Sequence, residues 1–259
     1  MNDLISIWEQ HWQDKPIEEY PDYHSHWFES HRKILDRYLF KGNLDDFCGF
    51  DIVNAGCGLG QWVFYCAKQA AGWVTRRRII GLDIAKDTIC RLNIFIREER
   101  FNNRKMRFMV DDIRDIKSIK ENSCHLVFSF GVVEHFKEDR LALEQFYRIL
   151  CFGGYAIISV PNLYTTTTLT EPIARLFGIW GLGKQKHYTR KSLRKIIPEG
   201  FEIIEENILP TGELLGSFAI RMPLIGKWLL GVLQRISLFI EKRSKVFGFM
   251  RYVVIKKRS

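Results

Sequence analysis

Glycine recurs at alternate positions in Gly56-Cys57-Gly58-Leu59-Gly60, and acids follow it at positions chemistry can use: Asp83, then Asp111 and Asp112. Glycine adopts backbone angles closed to other residues and lets a ligand approach the main chain. Where such a turn opens a helix, unpaired N–H groups point at the same ligand. Asp83 closes the run Ile79-Ile80-Gly81-Leu82-Asp83. A carboxylate there accepts from both hydroxyls of a ribose, or else caps the helix that follows. Asp112 is placed to accept from an adenine amino group, with a loop cap as its alternative. Together these residues predict a site for a nucleotide-type cofactor. Two histidines are candidates for moving a proton near neutrality: His135 in Val132-Val133-Glu134-His135-Phe136, and His187 in Lys186-His187-Tyr188-Thr189. For each, capping of a neighbouring turn or helix is the alternative.

The elements that must hold these residues in register read as alternating strands and helices. Residues 50–54 form a strand, the glycine turn follows, and 61–71 form a helix. Strands at 78–83, 106–110, 125–130 and 155–160 alternate with helices at 86–100 and 138–150. The continuous Val/Ile/Phe character of the strands predicts a parallel sheet covered on both faces. A helix at 189–198 and strands at 201–208 and 248–255 complete an α/β fold, a doubly wound, mostly parallel seven-stranded sheet. Within one domain, 1–45 form an N-terminal helical cap, 46–162 the cofactor-binding core, and 163–259 a substrate lid with an apolar helical insertion. The Thr run and glycines of 163–186 predict a mobile or lid-like connection there.

The chain has 259 residues, 46% hydrophobic and 27% charged, which suffices for a substantial core. A net charge of +9 favours an anionic partner such as a phosphate-bearing substrate or a membrane surface. The six cysteines include no CxxC pair and several lie in apolar runs. That argues for a reducing, cytoplasmic setting and against a disulfide scaffold or structural zinc. No secretion signal or spanning helix is expected, because no apolar run of about 18 uncharged residues occurs. His24, His26 and His31 lack companions at ligand spacing, so no metal is expected.

Taken together, the segments from Asp51-Ile52-Val53-Asn54-Ala55 into the glycine turn, then Gly81-Leu82-Asp83 and Phe108-Met109-Val110-Asp111-Asp112, resemble the class I S-adenosylmethionine-dependent methyltransferases. The similarity continues through Val127-Phe128-Ser129-Phe130-Gly131 to Glu134-His135, and through Arg148-Ile149-Leu150-Cys151-Phe152-Gly153-Gly154. It is nearest to the branch that holds quinone-biosynthesis and small-molecule methyltransferases. The resemblance implies S-adenosylmethionine as cofactor. It implies that Gly56, Gly58 and Gly60 approach the methionine part, Asp83 the ribose and Asp112 the adenine. It also implies that the backbone of Phe130 and Gly131 lines the cofactor, with Glu134 and His135 at the mouth of the acceptor pocket. His187 matches a position where related enzymes often carry a histidine. Asn54 stands where the family usually has an acid, so its amide oxygen would replace a carboxylate on the cofactor's ammonium. His125 stands where the family usually has Asp.

The acceptor is expected to be a small molecule or lipid-like, reached by in-line methyl transfer. The aromatics Trp8, Trp12, Tyr20, Tyr23, Trp27 and Phe28 either cover the acceptor pocket or form the apolar face of packing helices. Residues 212–247 are apolar and basic, with Lys227, Gly231, Gln234, Arg235, Glu241 and Lys242 on one helical face. Such an insertion suits peripheral contact with the inner face of a membrane, with a dimer interface or a core helix as alternatives. The rival functions are a non-catalytic methyltransferase-like binding module and a nicotinamide-dependent oxidoreductase. The spacing of the glycines departs from GxGxxG, which disfavours the second. No base-flipping motif accompanies the charge, which disfavours nucleic acid.

Overall fold

The computed structural model describes residues 2–17, 25–39, 51–69, 78–98, 106–176, 178, 180, 183–214 and 227–258. Its centre is a seven-stranded sheet: β1 (Asp51–Ala55), β2 (Ile79–Asp83), β3 (Met106–Val110), β4 (Cys124–Phe130), β5 (Leu150–Pro161), β6 (Phe201–Leu209) and β7 (Met250–Lys257). The strand order is β3-β2-β1-β4-β5-β7-β6, with β7 antiparallel to both its neighbours and the other pairings parallel. Every residue of β1, β2 and β4 is buried. Two-sided burial explains why these strands read as unbroken apolar runs rather than alternating ones. The chain leaves β1 for β2 on one side and returns to β4 on the other. That reversal opens a crevice at the carboxyl ends of β1 and β4, the place where such sheets bind ligands.

Helices α3 (Gln61–Gln69), α4 (Lys86–Glu98) and α5 (Asp139–Ile149) cover the sheet faces. Two helices precede them, α1 (Asn2–Gln13) and α2 (His26–Leu39). Arg91 of α4 donates to the carbonyls of Trp12 (2.8 Å) and Lys15 (2.7 Å), which ties α1 to the crevice. Phe28 of α2 stacks on Trp62 with ring centroids 4.2 Å apart. His31, fully buried, donates from Nδ1 to the Trp27 carbonyl and accepts at Nε2 from the Ser159 hydroxyl, each at 2.7 Å. Burial holds it neutral, down to about 3. It is a core histidine. Tyr20, Tyr23 and His24 lie outside the described residues.

Residues 163–186, read from the sequence as a mobile or lid-like connection, hold a helix, α6 (Thr166–Leu176). Its inward residues Thr167, Glu171 and Ala174 are buried, and Glu171 pairs with Arg175 one turn on, so packing overrides the low helix propensity of threonine. The glycines after α5 do not sit ahead of β5 but inside it. Gly153 has φ +79, and the β4–β5 register shifts between Cys124 and Leu126, a bulge where the strand begins. The remaining helices are α7 (Arg190–Lys195), closed by a Thr189–Ser192 capping box, and α8 (Lys227–Arg243).

Candidate cofactor and acceptor site

The glycine turn is fixed from below and crowded from above. The N–H groups of Gly56 and Cys57 both donate to the Leu82 carbonyl at 2.8 Å, which pins the turn to the end of β2. Gly56 has φ +80, and a Cβ there would lie 2.4 Å from the Val132 side chain. Gly58 has φ +48, and its Cβ would lie 2.8 Å from the Trp12 indole. Both the angle and the space therefore demand glycine. Asp83 accepts from the Gly58 N–H (2.8 Å) with one carboxylate oxygen and from the Ala85 N–H (3.0 Å) with the other. Burial pushes this carboxyl above its usual range, against the pull of those N–H groups.

Above the turn lies a cavity of about 210 Å³. Six residues expected at the site line it: Asn54, Gly56, Gly58, Asp83, Phe130 and Gly131. Four do not. Gly60 opens α3 and packs under Phe108 and Leu92. Asp112 stands beside the cavity-lining Ile113, and its carboxylate is held by the Arg114 guanidinium at 2.7 and 3.1 Å. Burial pushes Asp112 up, but its bonds from the Arg114 side chain and N–H outweigh this and lower it. His135 and His187 sit behind the cavity wall rather than on it.

The cavity fits the cofactor. Asn54 is 1% exposed; its Nδ2 donates to the Phe128 carbonyl at 3.4 Å, and its Oδ1 has no partner among the described residues. A buried acceptor left open at the end of β1 is what an ammonium group would satisfy. Asp83 offers acceptors for ribose hydroxyls, and Ile84 and Ile113 offer apolar walls for a flat base. The cavity is also strongly aromatic, lined by Trp8, Trp12, Trp27, Trp62, Phe130 and Phe136. Trp62 and His11 join the residues expected there from the sequence. Trp62 falls in the first turn of the helix that the glycines open. His11 shares a helix face with Trp8 and Trp12 at spacings of three and four residues, a stripe the sequence does contain.

Behind Trp8 lies a buried polar group. The His135 ring meets Trp8 edge-on, with centroids 4.9 Å apart. His135 Nδ1 donates to the Lys184 carbonyl at 3.1 Å, which leaves Nε2 as the acceptor, 3.9 Å from Glu134 Oε1. Burial lowers His135 and raises Glu134 to about 8, so both are neutral around pH 7. Glu134 is 3% exposed, and its Oε2 has no partner among the described residues. Its carboxyl reaches back over Gly131, where a Cβ would be 3.6 Å from Oε1. His187 lies 3.6 Å from Glu171 of α6, and burial lowers it too.

Comparison with known proteins agrees with this geometry. Residues 53–158 match the family model described as a methyltransferase domain. A Mycolicibacterium smegmatis protein named as a probable S-adenosylmethionine-dependent methyltransferase is 26% identical over 145 residues, 54% of this chain. The matched stretch spans 48%, about half, of that relative's length. Among solved structures, the geranyl diphosphate C-methyltransferase from Streptomyces coelicolor A3(2), in complex with Mg2+, geranyl diphosphate and S-adenosyl-L-homocysteine, superposes with TM-score 0.65 at 14% identity, covering 99% of this chain and 98% of its own. A structure described as the complex between the Haloferax volcanii Trm112 methyltransferase activator and the "putative methyltransferase" gives 0.64 at 15% identity, covering 97% and 98%. The domain match runs over the glycine turn, the acids and the crevice, so residues 53–158 carry a methyltransferase domain, and its cofactor is S-adenosylmethionine.

Proposed function

We propose that the protein transfers a methyl group to an apolar small-molecule or lipid-like acceptor, with Asn54, the glycine turn and Asp83 holding the cofactor. The observation that carries this reading is the cavity lining, in which six aromatic side chains outnumber the polar groups left for an acceptor. S-adenosylmethionine supplies a methyl group on a positively charged sulfur. The chain's residues supply alignment, exclusion of water and removal of a proton. Aromatic faces favour the sulfonium charge and an apolar acceptor alike.

His135 is the base in this reading: its hydrogen bond to the Lys184 carbonyl leaves Nε2 as the acceptor, and the acceptor molecule reaches it by displacing the Trp8 ring that stands between it and the cavity. Glu134, 3.9 Å away, pairs with the imidazolium that forms once its own carboxyl has ionised. His187 belongs to the acceptor side, oriented by Glu171. The match to a relative solved with geranyl diphosphate supports an isoprenoid-like acceptor, and a quinone precursor is a second compound of that apolar class. Incubation of the protein with methyl-labelled S-adenosylmethionine and extract, followed by solvent partition, tests the proposal. Label in the organic phase that falls about 100-fold with His135→Asn, at unchanged cofactor affinity, is the expected result. Cofactor binding without label in any fraction would instead indicate a binding module.

A further inference from the structure

We propose that the outward face of α8 and the loop after it dock on an anionic lipid surface. Residues 212–259 contain ten Lys/Arg and two acids, Glu213 and Glu241. Both acids turn inward. Glu241 is 2% exposed and accepts from the N–H groups of Gly212 (2.7 Å) and Phe249 (3.0 Å). Glu213 lies close enough to Glu241 for the two to repel, and burial raises it to about 7. Ser237, one turn before Glu241, is fully buried. The face of α8 that meets the protein therefore carries Ser237 and Glu241.

The opposite face is apolar and cationic. Ile236 and Phe239 are exposed, Phe239 at 59%, flanked by exposed Arg235, Lys242 and Arg243. The Arg243 guanidinium lies over the Phe239 ring, 3.9 Å from its centroid. The loop continues the pattern with Lys245, Val246 and Phe247, Phe247 at 55% exposure. Phe247 meets Tyr164 edge-on with centroids 6.2 Å apart. Tyr164 leads into α6, whose Leu169, Ile173 and Leu176 form a second exposed stripe at helical spacing.

Exposed aromatics and aliphatics among cations, with no exposed carboxylate on the described part of this face, complement a surface that is negatively charged and apolar beneath. A second copy of the chain would present the same positive face, which opposes self-pairing. Among the described residues no helix is long and apolar enough to cross a membrane, so the contact is interfacial.

Co-sedimentation of the full chain with phosphatidylglycerol–phosphatidylcholine vesicles, against phosphatidylcholine alone, tests the surface. Binding to the anionic vesicles, weakened by salt, is expected. The double variants Phe239→Glu/Phe247→Glu and Arg243→Glu/Lys245→Glu should each lower it about tenfold or more. S-adenosylhomocysteine affinity, measured in parallel, should stay at the parent value, which shows that the variants fold and separates this proposal from the methyl-transfer reading. No binding to anionic vesicles, or equal binding by the folded variants, overturns the proposal. So does concentration-dependent dimerisation, lost in Phe247→Glu, in place of vesicle binding.

Discussion

Asp83 and Glu241 make the same bonds in two regions of the molecule. Each is a buried carboxylate that accepts two backbone N–H groups, from Gly58 and Ala85 in one case and from Gly212 and Phe249 in the other. Burial raises both. They differ in their surroundings. Asp83 lies on the wall of an aromatic cavity, so its remaining acceptor capacity faces a ligand. Glu241 is not on that wall; it closes the start and end of a helical excursion upon itself. One carboxylate borders the cavity, and the other ties together the two ends of a helical excursion. The bond pattern of a buried acid therefore does not reveal its role; the space left beside it does.

This division can be broken experimentally. The largest effect is expected from Gly56→Ala, where the positive φ and the 2.4 Å approach to Val132 leave no place for a methyl group. S-adenosylhomocysteine affinity should fall more than about 100-fold by calorimetry, by displacement of the turn that lines the cavity. Glu241→Ala should act on stability instead, costing about 2–4 kcal/mol because two buried N–H groups lose their acceptor. For a chain of this size that lowers Tm by roughly 5–15 °C, while cofactor affinity stays within about twofold. A comparable loss of affinity would erase the distinction between the two regions.

A smaller effect separates His135 from its neighbour by pH. Burial raises Glu134 from an ordinary 4.5 to about 8, so the folded protein holds a proton that the unfolded chain releases earlier. Its contribution to stability is complete below about pH 4.5 and is lost as pH rises through about 8. Glu134→Gln removes the titration. Its Tm relative to the parent should therefore rise between pH 5 and about 8.5, which thermal unfolding at both values would read.

Legibility in the sequence follows the same division. The cofactor half is built from local units, strand then turn then helix, so residues 106–110 read as a strand with the observed ends, and the glycine turn and Asp83 fell into register. What escaped was made by contacts distant in sequence. Glu241 reads as part of a polar helical face, yet it points inward because Gly212 and Phe249 require an acceptor. The helix α6 was hidden by threonines, and it is held by Glu171, which also meets His187 sixteen positions later in the chain. The overlay of α1 on the glycine turn depends on Arg91, far from Trp12 in sequence. Asp112 went to a near partner, Arg114, whose proximity was visible but whose preference over a ligand was not.

The central claim is that Asp83 holds the cofactor's ribose from the wall of the aromatic cavity. Asp83→Asn keeps the side chain's size, so calorimetric titration of S-adenosylhomocysteine into this variant, with circular dichroism to verify the fold, tests the claim most directly. The account predicts an affinity loss of about 10- to 100-fold in a folded protein, as expected for weakened hydrogen bonds to a charged acceptor. An Asp83→Asn variant that folds and binds S-adenosylhomocysteine as tightly as the parent would contradict it.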